Sequence, residues 1–296
     1  MPTNKIHNPG TALHQDSSLP LISICIPVYN GENTITQTIQ SVLSQRLVRT
    51  ELVVQDNAST DNTWNILTAF SQMHPQVSIQ RNAENVGMAP NWNLAINRAR
   101  GEYIMLLSAD DLLGPDFLIT CCEAFQQGSM DVVTTNHYLL KSGALNKRKV
   151  LIWAGEYRNF PGRVLLQNPF SINFSLFKRD AIARMKRDGN LFRESFFTCD
   201  YDLWIRIALS DARVLYLNKQ LGTYRVHEQS LSRQVIRMNR QAALVVLAHK
   251  KALKKNCPYT YRVTLVRFMV RFMMLSIKYR VFPSRMVSVL WKELFA

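Results

Sequence analysis

The 296 residues are 47% apolar and 19% charged, a globular composition that excludes a disordered or fibrous chain. The net charge is +15, yet residues 231–296 hold 14 Lys/Arg against a single acid, Glu293, so a near-neutral body carries a basic C-terminal part. That distribution excludes a uniformly basic nucleic-acid-binding domain. The five cysteines form no CxxC pair and fit reduced thiols in a cytosolic protein.

Residues 1–20 read as a polar tail without the apolar core of a secretory signal. The most apolar candidate for a span, Val263–Val281, is broken by Arg267, Arg271, Lys278 and Arg280. A cytoplasmic location is expected.

Leu21–Val28 is a short Ile-rich run ending in Pro27 and the turn Tyr29-Asn30-Gly31, and reads as a strand buried on both faces. Thr34–Leu43 carries Ile35, Ile39, Val42 and Leu43 at helical spacing. Strands are expected at Glu51–Val54, Val77–Gln80 and Tyr103–Leu107. Helices are expected at 61–70 and at Asn91–Ala99, with Pro90 as the first helical residue. A helix at 115–127 and a strand at Asp131–Thr135 follow, then a mixed, loop-like stretch over 136–165. Asn173–Phe177 and Val214–Leu217 are strand-like, a helix starts at Asp180, and Asp202–Leu209 is helical. The alternation predicts α/β architecture with a mainly parallel sheet.

Ligands in such sheets bind beyond the carboxyl ends of the strands. Three polar clusters fall there: Tyr29-Asn30, Asp56-Asn57 and Ser108–Asp111. Asp56 follows an apolar strand, where a carboxylate needs a donor; a base N–H would serve, and so would a turn or helix cap. Asp110 and Asp111 repel each other unless a cation lies nearby, or they form a solvated acidic turn. Asp200 precedes a helical run and suits either a general base or an N-cap. Asp202 complements the helix dipole. Arg225 and His227 suit phosphate or metal, or the exposed side of an edge strand.

Taken in order, Pro-Val-Tyr-Asn, Asp-Asn-Ala-Ser-Thr-Asp, Asn-Val-Gly, Ser-Ala-Asp-Asp, Cys-Asp-Tyr-Asp-Leu-Trp and Tyr-Arg-Val-His resemble the motifs of family 2 glycosyltransferases of the GT-A fold, over roughly residues 21–230. The resemblance implies a catalytic domain at 21–230 followed by a basic helical region at 231–296. It implies that Pro27, Tyr29, Asn30 and Glu32 lie along the donor nucleotide and that Asp56 binds its base. Asn85 and Gly87 would lie near the donor pocket, with Ser108, Ala109, Asp110 and Arg225 also on the donor. Asp110, Asp111 and His227 would take Mn²⁺ or Mg²⁺, and Asp200 would be the catalytic base. Ser108 replaces the first Asp of the family's Asp-x-Asp motif, and Cys199 replaces the Glu that commonly precedes the base.

The implied reaction is inverting transfer of a sugar from a nucleoside diphosphate sugar, UDP-sugars favoured, to a hydroxyl of a lipid-linked or cell-surface glycan precursor. In a helix over 262–281, Arg267, Arg271 and Lys278 form one stripe, with Leu265, Phe268, Met269, Phe272, Met273 and Ile277 over much of the rest. That pattern suits either an anionic membrane interface, with Phe282, Trp291 and Phe295 as anchors, or a helical layer packed on the core. The rival functions are a catalytically weak sugar-nucleotide binder and a nucleotidyltransferase. The latter lacks its glycine-rich phosphate loop, since the first strand ends in Asn30-Gly31-Glu32. A nucleic-acid partner is not expected.

Overall fold

The computed structural model describes residues 20–46, 48–150, 152–166, 168, 170–226, 234–279 and 284–295. His227, Phe282 and the polar tail before Pro20 lie outside the described residues.

β1 (Leu21–Val28) is buried from Ile22 onward because helices cover both faces of its Ile-Ser-Ile-Cys-Ile run. It pairs in parallel with β2 (Arg49–Asp56) on one side and with β4 (Tyr103–Leu106) on the other; β3 (Val77–Arg81) extends the parallel set beyond β2. The crossovers are α1 (Ile35–Leu43), α2 (Thr63–Met73) and α3 (Met88–Arg98). Register puts Val28 opposite Asp56 and Asp56 opposite Arg81, so the three strand ends are level. At their opposite ends Ser23 Oγ donates to Glu51 Oε1 at 2.5 Å, and Arg100 N donates to the same oxygen at 2.6 Å. Burial opposes the Glu51 charge, but these bonds prevail and its pKa falls below the ordinary value.

Past β4 the sheet becomes mixed. β9 (Ser175–Lys178) runs antiparallel to β4 and to β6 (Val132–Lys141), and β10 (Val214–Val226) returns parallel to β6. β5 (Leu112–Leu113) closes that end against β10. The parallel arrangement predicted for most of the sheet therefore describes its first four strands and the β6–β10 pair. The stretch read as loop holds the end of β6, its hairpin partner β7 (Ala144–Lys147), β8 (Gly155–Tyr157) and α5 (Pro161–Leu166). β7 carries no buried residue, so it lacks the alternation that marks a half-buried strand. Two further boundaries move. α3 starts at Met88, so Pro90 is its third residue, and Ile172–Phe174 is a 3₁₀ turn before β9 rather than strand.

α4 (Phe117–Gln126) and α6 (Arg179–Met185) pack against the sheet, and α7 (Cys199–Ala208) buries Leu203, Trp204, Ile205 and Ile207. The basic region forms α8 (Val235–Ala248), α9 (Lys250–Asn256), α10 (Pro258–Tyr279) and α11 (Ser284–Phe295). Ala243, Val246, Tyr261, Leu265, Met269, Phe272 and Leu290 join one apolar core with Trp204 and Val164. Glu293 ties the layer together: Lys250 and Lys254 each reach its carboxylate at 3.0 Å, and Tyr261 donates to it at 3.2 Å.

Candidate active site

The turns after β1 and β2 are interlocked. Asn30 N donates to Ser59 Oγ at 2.9 Å, and Thr60 N donates back to Asn30 Oδ1 at 2.8 Å. Gly31 N donates to Thr63 Oγ1 at 2.8 Å, Glu32 N to Asp61 Oδ2 at 3.1 Å, and Asn62 N to Glu32 Oε2 at 3.0 Å. Asn30 adopts φ +53°, a left-handed conformation that Asn tolerates. Two motifs far apart in sequence thus build one rim at the carboxyl edge of the sheet. Within it the Asn30 and Glu32 side chains hold backbone, Pro27 is buried in β1, and Tyr29 is half exposed.

Asp56 is fully buried. Its Oδ1 accepts Ser59 N at 3.1 Å and the Ser59 hydroxyl, the turn-closing arrangement of an Asx residue. Its Oδ2 lies 3.2 Å from Arg81 Nε as an ion pair but accepts no hydrogen bond among the described residues. Arg81 covers it and lies over the Trp64 ring, 5.5 Å from the centroid. Arg81 escaped the sequence reading because an arginine ending a strand is unremarkable until β3 is seen beside β2. Asn57 organises the next loop: its Nδ2 donates to Asn85 Oδ1 at 2.8 Å and to Gly87 O at 3.2 Å, and its Oδ1 accepts Val86 N at 3.0 Å. Gly87 has φ +91°, which explains glycine there, and Asn85 and Gly87 are exposed beside the rim.

At the end of β4, Ser108, Ala109 and Asp110 are partly exposed while Asp111 is fully buried. Asp111 Oδ2 accepts Asn173 Nδ2 at 2.6 Å, and Oδ1 accepts Arg225 N at 3.0 Å. Burial, and then the neighbouring Asp110, push its pKa well up. Both Asp111 oxygens are therefore engaged within the fold, whereas Asp110 is partly exposed at the strand end. Ser108 Oγ donates to Asn173 Oδ1 at 3.1 Å. Asn173 sits in the 3₁₀ turn and carries no local sequence signal. The Arg225 guanidinium reaches Gln37 of α1, so β10 brings this residue to the same edge. Among the described residues, no group of three His, Cys, Asp or Glu is arranged to hold a metal ion.

Asp200 is the second residue of α7, and Thr198 holds the N-cap position without a side-chain capping bond. Asp200 is thus not the cap. Burial pushes its pKa up, against the α7 backbone N–H groups that favour its charge. It opens onto a groove of about 640 Å³ walled by α5, α7, α8 and α10. Asn168 lines this groove, and Asn173, five residues on, bonds Ser108 and Asp111. Five residues span at most about 18 Å, which bounds the distance from this side of the groove to the strand-end rim. Asp202, expected to serve the helix dipole, is instead fully buried among His249, Arg206 and Arg193.

The sequence model described as Glycosyl transferase family 2 matches residues 23–185, more than half of the chain. The chain belongs to glycosyltransferase family 2. The glycosyltransferase GlyA of Streptococcus pneumoniae is 25% identical over 229 residues, which are 72% of this chain and 31% of GlyA. The chain thus spans under a third of that relative. Glycosyltransferases of known structure share the fold. TarS 1–349 of S. aureus in complex with UDP-GlcNAc superposes with a TM-score of 0.63 at 18% identity, over 85% of this chain and 81% of TarS 1–349. The mannosyltransferase PcManGT from Pyrobaculum calidifontis, in complex with GDP-Man and Mn²⁺, superposes with a TM-score of 0.60 at 17% identity, over 94% and 85% of the two chains. The central sheet flanked by helices is therefore the GT-A glycosyltransferase fold. The family match ends at Met185, before Asp200; of the groove it covers Val164, Leu165, Leu166 and Asn168.

Proposed function

We propose that this glycosyltransferase uses Asp200 as the general base of an inverting transfer from a nucleoside diphosphate sugar to a hydroxyl of a glycan precursor. The observation that supports the reading is a carboxylate in the first turn of a helix, open to a groove and pushed up in pKa by burial. The acceptor oxygen bonds to the anomeric carbon as the bond from that carbon to the phosphate oxygen breaks. The nucleoside diphosphate leaves with the bonding electron pair, and Asp200 takes the hydroxyl proton. A single displacement inverts the anomeric centre.

The donor would lie along the rim, with UDP-sugars favoured. Asp56 Oδ2, which accepts no hydrogen bond among the described residues, is the acceptor for a base N–H once Arg81 swings off it. Tyr29 offers a face, Asn85 and Gly87 edge the pocket, and Arg225 stands near the diphosphate. The donor set fits Mn²⁺ or Mg²⁺ held by Asp110. These ions keep several waters and combine one or two carboxylates with substrate phosphates, so a three-acid cluster is not required. Bound there, the cation would offset charge on the leaving diphosphate. Ser108, with its hydroxyl on Asn173, adds no charge, which favours weak metal affinity. Exposed Val270, Met274 and Ile277 beside basic residues support a peripheral place on the inner membrane face. Among the described residues, no helix is long and apolar enough to cross a membrane.

The test is a thermal-shift screen of nucleoside diphosphate sugars with and without Mn²⁺, followed by determination of the product anomer by NMR. Stabilisation by one donor and a product of inverted configuration are expected. Retention of configuration would overturn the role of Asp200.

A further inference from the structure

We infer that the groove walled by α5, α7, α8 and α10 is the acceptor site, and that its occupant is a lipid-linked saccharide whose phosphate lies on Arg267 and Arg271 and whose hydrocarbon lies along α10. The inference rests on the reading of Asp200 as the base, which opens onto this groove.

Two features of the groove point to one chemistry. Val266, Val270 and Met274 recur at four-residue spacing, line the groove and remain 42%, 45% and 58% exposed. The stripe they form is about 12 Å long and leads from the groove to the outer surface. The opposite side of α10 is already spent on the core through Leu265, Met269 and Phe272, so the stripe is not needed for packing. Arg267 and Arg271 form the adjacent stripe, and among the described residues neither pairs with a carboxylate. Arg267 donates to Leu166 O at 2.5 Å, and its charge acts on Tyr201, the residue after Asp200.

Charge selects the occupant. A neutral soluble glycan uses Asp200 but leaves two cations and an exposed apolar stripe unmatched. A saccharide joined through phosphate to a lipid matches all three in order: sugar at Asp200, phosphate at the arginines, chain along Val270 and Met274. The groove volume also lies within the usual range for a small-ligand site, about 300–1,000 Å³.

The test measures binding of farnesyl diphosphate to the full chain by calorimetry, with UDP present at saturation to block the donor site. Farnesol and inorganic diphosphate serve as separate arms. Farnesyl diphosphate is expected to bind in the presence of UDP and to lose at least tenfold in affinity in Arg271→Glu and in Met274→Asp. Each half-ligand is expected to bind at least tenfold more weakly than the whole. Both substitutions lie on the surface of α10, and unchanged UDP binding checks that the variants are folded. Arg271→Lys should recover most of the affinity. Loss of farnesyl diphosphate binding on adding UDP, or equal affinity in wild type and both variants, would overturn the proposal. So would inorganic diphosphate binding as tightly as farnesyl diphosphate. Asp200→Asn separates the two readings: unimpaired transfer in that variant removes the base and leaves the groove measurement intact.

Discussion

Asn173 Nδ2 donates to Asp111 Oδ2 at 2.6 Å, while Asn173 Oδ1 accepts the Ser108 hydroxyl at 3.1 Å. One carboxamide therefore fixes both ends of the Ser-Ala-Asp-Asp segment and leaves Asp110 between them at the rim. Asn173→Ala should cost about 1–3 kcal/mol, because Asp111 loses a donor in a buried place. The pH dependence follows from the charge. The lost hydrogen bond favoured ionised Asp111, so its already raised pKa rises further in the variant. The penalty is then larger at pH 8, where the group is more ionised, than at pH 5. Urea unfolding at the two pH values checks this, and an equal penalty at both would contradict it.

Asp200→Asn keeps the size of the side chain and removes its basicity. Transfer should fall by about 10²–10⁴-fold, the usual contribution of a general base, with donor affinity within about twofold of wild type. Burial raises the Asp200 pKa, and only the ionised form accepts a proton. In the wild type kcat/KM should therefore rise with pH along an acid limb lying above the ordinary Asp range, and this limb should vanish from the residual activity of the variant. Initial rates across pH 4–8 read both effects.

The parallel half of the fold was legible because β1, β2 and β4 are largely buried on both faces and each ends in a polar turn. Pro27–Asn30 and Asp56–Thr63 could be recognised, but not that Asn30 Oδ1 and Glu32 Oε2 would be consumed in tying the two turns together. Asn173 and Arg81 were missed for a common reason. Each acts through a neighbour that only sheet topology supplies, β4 for one and β2 for the other. The α10 pattern was read as one amphipathic surface. The structure divides its apolar residues into a packed set, Leu265, Met269 and Phe272, and an exposed set, Val266, Val270 and Met274. Periodicity reports that a helix has an apolar side and is silent on which part of it meets a partner.

Gly222 lies where β10 passes over Phe174. A Cβ added there would meet Phe174 Cε1 at 2.2 Å and Leu112 O at 3.1 Å. The Phe174 ring is buried against His137, 4.6 Å between centroids, and cannot move away cheaply. Gly222→Ala should therefore destabilise the fold by about 1–3 kcal/mol, the usual range for overpacking. Phe174→Leu in the same chain should recover part of that loss by shortening the obstructing ring. A double-mutant cycle of urea midpoints measures the coupling, and strictly additive effects would show that the ring is not the obstacle.

Beside their shared apolar core, one buried acid ties α7 to the C-terminal helices. Asp202 accepts from Arg206 Nε at 2.9 Å, lies 2.8 Å from His249 Nε2, and pairs with Arg193 at 3.4 Å. Arg206 is itself almost fully buried and donates to Met185 O and Leu191 O, each at 2.5 Å. Removing Asp202 therefore leaves an uncompensated guanidinium inside the protein. Asp202→Ala should cost about 3–5 kcal/mol, a loss seen when one partner of a buried pair is deleted. Burial raises the Asp202 pKa, but the His249 bond and the Arg206 charge outweigh it, and the net displacement is downward. A lowered folded pKa means that the stabilisation is present above the unfolded value and drains away as the pH falls through that value toward the folded one. Wild type and Asp202→Asn should therefore differ most near neutral pH and converge in acid, as read by urea unfolding from pH 7 to pH 2.5. A gap that stays constant over that range would mean that shape, not charge, holds α7 to the C-terminal layer.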